Sequence, residues 1–117
     1  MVDITQLQDI QQRCFCIMQK VQSTCSEGSW PNDMLWEDAQ IVRMFLGMIV
    51  DSNVERYAWR LDELFTRQAE YRLYNMSNHQ VTMNEFDEVI SAIAGQLGNQ
   101  LFIIKQNQKR KEQEANG

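Results

Sequence analysis

Residues able to do chemistry are sparse in this chain. His79 is the only histidine, and the cysteines number three, Cys14, Cys16 and Cys25. One stretch places an arginine and the histidine close together: Arg72-Leu73-Tyr74-Asn75-Met76-Ser77-Asn78-His79. A guanidinium and an imidazole at such a spacing suit phosphate chemistry, the first stabilising charge and the second moving a proton. Carboxylates are many, but helical hydrolases need inward-pointing pairs at i and i+3 or i+4. Glu37 and Asp38 are adjacent instead, and Glu85 with Glu88 reads as a helix cap and its dipole partner. Cys14 and Cys16 sit about 200° apart around a helix and cannot share one metal. Cys14 and Cys25 lie roughly 16 Å apart along the same helix, beyond disulfide reach. Buried thiols, no metal and no cofactor are expected. Phosphate loops and dinucleotide fingerprints are absent, since Gly95-Gln96-Leu97-Gly98 falls inside a helical stripe.

The Arg72/His79 pair resembles the Arg-x(4–6)-His motif of HEPN-type ribonucleases, which are small, dimeric, all-α domains. The resemblance covers these two residues and the general size, and Leu73 stands where that family usually has a polar residue. It implies a composite RNA-cleaving site across a dimer, with His79 as acid or base and Arg72 beside the phosphate. RNA is a partner only under this alternative.

Charge excludes other classes. The net charge is −5 and the pI about 4.8, which disfavours duplex DNA and anionic membranes. Arg56, Arg60, Arg67 and Arg72 interrupt Glu55, Asp62, Glu63 and Glu70, as on a solvated helix face with local pairs such as Glu63 with Arg67. Lys105, Lys109, Arg110 and Lys111 have no aromatic residue among them, so a stacking platform for single strands is missing. An odd cysteine count argues against a secreted disulfide framework. The start, Met1-Val2-Asp3-Ile4-Thr5-Gln6, has no basic region followed by an apolar one. The most apolar run, Met44 to Val50, is far too short to span a bilayer. A cytoplasmic protein is expected.

Four helical segments must position whatever the chain does. The first, from about Asp3 to Ser26, is striped by Ile4, Leu7, Cys14, Met18, Val21 and Cys25, with Phe15 widening the apolar surface and Gly28 ending it. Asn32 caps the second after Pro31, and this helix runs to about Asp51. Beyond Ala39 it is apolar on nearly every side, as for a helix buried from several directions or covered by a second chain. Ser52-Asn53-Val54-Glu55 has the capping-box pattern and starts the third helix, which buries Val54, Tyr57, Ala58, Leu61, Leu64 and Phe65. Thr82-Met83-Asn84-Glu85 opens the fourth, striped by Phe86, Val89, Ile90, Ile93, Leu97, Leu101 and Ile104. The reading is an all-α, single-domain bundle of about four antiparallel helices with a long C-terminal helix, over residues 1–111, and a frayed polar tail over 112–117.

The favoured function is a small non-catalytic protein-binding module: an adaptor, inhibitor or regulator, as in phage and mobile elements, that occludes or bridges a partner. Trp30, Asp33, Met34, Trp36, Glu37 and Asp38 combine hot-spot aromatics with carboxylates and no cation, a pattern for a partner with a basic surface. Ile41, Phe45 and Met48, with Gly95 and Gly98 on the fourth helix, are the expected contacts of a homodimer.

Overall fold

A computed structural model of the protein describes residues 3–24 and 30–116. Its helices are α1 (Ile4–Thr24), α2 (Asp33–Leu46), α3 (Ser52–Tyr74) and α4 (Met83–Asn116), with a short 3₁₀ turn at Ser77–His79 before α4. The described residues contain no strand. The all-α bundle with a long last helix is what the periodicity called for.

Each helix start has a local cause. In α1, Gln6 N–H donates to Asp3 Oδ1 at 2.8 Å while Asp3 N–H donates to Gln6 Oε1 at 3.0 Å, a reciprocal box that satisfies two orphan donors. In α2, Leu35 N–H donates to the Asn32 side chain at 3.0 Å, as expected. The cap of α3 lies one residue earlier than Ser52: Asp51 Oδ1 accepts from Asn53 N–H at 2.9 Å and Val54 N–H at 3.2 Å. A carboxylate there is also favoured by the helix dipole, which a serine hydroxyl is not. Thr82 and Glu85 form the box read from the sequence, with bonds of 3.2 and 3.0 Å. Between α3 and the 3₁₀ turn, Asn75 takes a left-handed conformation (φ 53°), which asparagine tolerates better than most residues.

Two boundaries move. α2 stops at Leu46 rather than near Asp51, because Gly47, Met48 and Ile49 turn back to donate to Arg43, Phe45 and Leu46 carbonyls. α4 has 34 residues and is helical through Asn116, beyond the expected end at residue 111. At about 1.5 Å per residue it is roughly 51 Å long, and the whole molecule extends 64 Å. From Lys105 to Glu114 every residue is exposed, so this stretch projects past the bundle.

α1 and α3 each pack against both α2 and α4. Arg60 reaches Glu88 and Arg67 reaches Glu85, so later residues of α3 meet earlier ones of α4 and the two run antiparallel. Arg67 therefore serves a cross-helix pair and not the pair with Glu63 on its own helix. The core stripe of α1 is Leu7, Ile10, Cys14, Ile17 and Val21. Alternating steps of three and four from Leu7 pass through Ile10 and Ile17, leaving Ile4 and Met18 at the edge. Cys25 and Gly28 lie outside the described residues. On α4 the expected stripe is buried from Phe86 to Leu101, with Ile104 at its margin. No helix of the described residues is long and apolar enough to cross a membrane.

Candidate functional site

The residues singled out for partner binding divide into two faces of α2. Trp36 is only 5% exposed. Its ring sits 5.2 Å from Phe86, edge to face, and 5.6 Å from Phe65. It anchors α2 in the core, which corrects its reading as an exposed hot spot: the buried positions Leu35, Trp36, Ala39, Val42 and Leu46 define the inward face, and Trp36 belongs to it. Asp38 is held against α1 by Lys20 at 3.1 Å and Arg13 at 3.7 Å. Asp33 is exposed and paired with Arg72 of α3.

The other face points to solvent. Met34, Met44 and Met48 are 65%, 74% and 51% exposed, Ile41 is half-buried among them, and Glu37 is exposed between. At 100° per residue Asp33, Met34, Glu37, Ile41 and Met44 fall within one third of the circumference of α2, and Met48 lies in the turn that follows Leu46. Trp30, 45% exposed, precedes this strip. The apolar excess of α2 thus becomes an outward strip rich in methionine, whose unbranched side chains adapt to different partners.

Of the expected dimer contacts, Ile41 and Met48 belong to this strip. Phe45 does not: it packs against the core and lines a cleft towards α1 with Ile10 and Cys16. The two glycines also part company. A Cβ on Gly98 would come within 3.1 Å of the Gln11 side chain of α1, whereas one on Gly95 would meet nothing within 4 Å. Close approach inside the chain explains Gly98 alone.

Arg72 and His79 are drawn to different partners. His79 Nδ1 lies 2.6 Å from Glu70 Oε2, while Arg72 pairs with Asp33 across the α2–α3 side. Glu70 and Arg72 are two residues apart, about 200° around the helix, so the two groups are not brought together within one chain. Cys14 is fully buried, and burial pushes its thiol up to about 12, which makes it an inert part of the core. No group of three or more metal-ligating side chains occurs among the described residues.

Sequence reasoning missed Trp59. It is 62% exposed on α3 and lines a groove with Leu46, Ile49 and Val50. The signal was available: Trp59 falls off the Val54–Ala58–Leu61 stripe, so a bundle of this connectivity must leave it outside.

The fold and this surface define an all-α four-helix bundle whose α2 leaves an apolar strip exposed. Comparison with protein-family models, with curated proteins and with solved structures found no match.

Proposed function

We propose that the chain is a small non-catalytic protein-binding module of the cytoplasm, an adaptor, inhibitor or regulator that occludes or bridges a protein partner. The observation that carries this reading is the outward face of α2 and the turn after it, where Met34, Met44 and Met48 are more than half exposed and Ile41 is half-buried. Large apolar patches on small proteins mark interaction sites. Trp30 beside them has the size and the N–H handle of a hot-spot residue. Asp33 and Glu37 supply carboxylates that steer a partner with basic groups near its apolar contact.

The same face serves self-association, with Ile41, Met44 and Met48 replacing the wider set read from sequence. Light scattering after size exclusion at micromolar concentration is expected to give twice the 13.8 kDa chain mass. The decisive comparison is a pull-down from the native host with wild type and with Met34→Glu/Met44→Glu/Met48→Glu. A protein captured by the wild type and lost by the folded triple variant supports the reading. Equal capture by both moves the site elsewhere.

A further inference from the structure

A groove of about 440 Å³ lies between the end of α2 and the start of α3, at the end of the bundle from which α4 projects. Ile49, Val50 and Trp59 give it apolar walls, and Asp51 and Glu55 line it with carboxylates. The one cation among the described residues lining it, Arg43, is held by Asp62 through Nε at 2.8 Å and Nη2 at 3.0 Å. Gly47 and Ile49, on either side of Met48 in the chain, belong to the lining, so the groove continues the exposed strip of α2.

The projecting part of α4 has the complementary character. The Gln100 side chain donates to Asp51, which sets it level with the start of α3. Just beyond, Phe102 and Ile103 are 64% and 51% exposed. Lys105 and Lys109 follow Phe102 by three and seven residues, and at 100° per residue all three lie within about 60° of arc. An apolar side chain with two cations behind it on one face suits an apolar groove edged by carboxylates. The spacing agrees as well, because Glu55 and Trp59 follow Ser52 by the same three and seven residues. Helices rise equally per residue, so two laid side by side in the same direction keep that register. α4 leaves the bundle where α3 begins. The projecting stretch of one copy therefore runs in the same direction as α3 of a second copy placed end to end with it.

We propose that the groove is filled by α4 of a second copy of this chain. Phe102 of one copy sits beside Val50 and Ser52 of the other, Lys105 meets Glu55, and Lys109 lies over the Trp59 ring as a cation–π contact. A two-fold axis repeats the contact, so each copy clasps the other. The proposal rests on the self-association reading and names what the second copy lays against the end of α2.

The test measures dimer dissociation of the full chain by sedimentation equilibrium at micromolar concentration. Phe102→Glu and Trp59→Glu are each expected to weaken the dimer at least tenfold with the melting curve preserved, since both side chains are exposed. An equimolar mixture of these two variants regains one intact contact, and its mixed dimer is expected to be at least tenfold tighter than the dimer of either variant alone. Glu55→Lys and Lys105→Glu, exchanges at exposed positions, are each expected to weaken the dimer several-fold and in combination to recover it. Wild-type dissociation in Phe102→Glu, or a mixture no tighter than its components, would overturn the inference. A wild-type dimer that the triple methionine variant abolishes and Phe102→Glu leaves intact overturns this inference alone. A monomeric wild type overturns the self-association reading with it, and a host protein captured by that monomer but lost by Trp59→Glu would give the groove to a different partner.

Discussion

The seam between α3 and α4 and the outward face of α2 are built from opposite materials. Along the seam Arg60 meets Glu88, Arg67 meets both oxygens of Glu85 at 3.3 Å, and Glu85 also closes the Thr82 cap. The side chains there satisfy one another across the helices. On the outward face of α2 and the turn after it three methionines lie more than half exposed. The difference teaches where to look for function: groups whose demands are met inside the chain hold it together, and those left over define what it can engage.

The contrast breaks most sharply in the core. Phe86 is fully buried and packs on Trp36, so Phe86→Ala is expected to cost about 3–5 kcal/mol in urea or thermal unfolding. Met44→Ala, on the outward face, is expected to stay within about 0.5 kcal/mol of wild type. A comparable loss from both would mean that α2 is covered in the folded molecule. Next in size is the partner-binding effect: the triple methionine variant above is expected to lose affinity at least tenfold, about 1.4 kcal/mol, with its melting curve preserved. The seam is probed by Thr82→Ala, which removes a bond at the start of α4 and is expected to cost about 1 kcal/mol.

Acid gives a smaller effect. The backbone N–H of Thr82 and then Arg67 hold Glu85 below the usual carboxylate range, and the N–H of Val54 does so first for Asp51, outweighing burial in each case. A carboxylate depressed in the folded state adds stability that is fully present above its unfolded value near 4. That stability is lost as pH falls through the lower folded value. Thermal midpoints of the wild type are expected to drop between about pH 5 and pH 3, and Glu85→Gln to flatten that drop. The smallest expected effect is none: total RNA incubated with the protein is expected to survive as it does with His79→Ala. Cleavage lost in that variant would restore the ribonuclease alternative through a site shared between two chains.

Much of the architecture was legible because helices announce themselves locally. The Thr82 box, the Asn32 cap and the α4 stripe each depend on residues three or four apart, and each was found in place. What a local pattern does not contain is the neighbour. Arg67 pairs with Glu63 on paper and with Glu85 in space, because α4 brings a better-placed carboxylate. Trp36 and Trp30 look alike in sequence, and only the direction of α2 relative to Phe65 and Phe86 separates an anchor from an exposed residue. Gly95 and Gly98 share a spacing motif, yet α1 lies against one of them alone. A cleft between α2 and α3 beside Trp36 had no sequence signature, since its lining comes from separate turns of two helices.

The projecting end of α4 has a consequence for motion in solution. The projecting stretch carries four cations, Lys105, Lys109, Arg110 and Lys111, against two carboxylates, Glu112 and Glu114, and stands off from a body whose negative charge more than cancels the balance, leaving −5 overall. An elongated particle with unlike ends has a permanent dipole along its long axis. Near a charged surface such a particle feels a torque before it feels contact, within about 8–10 Å at ordinary ionic strength. It therefore arrives end-on by preference, with its long axis already turned. That bias would vanish in strong salt while the contacts made after arrival persisted.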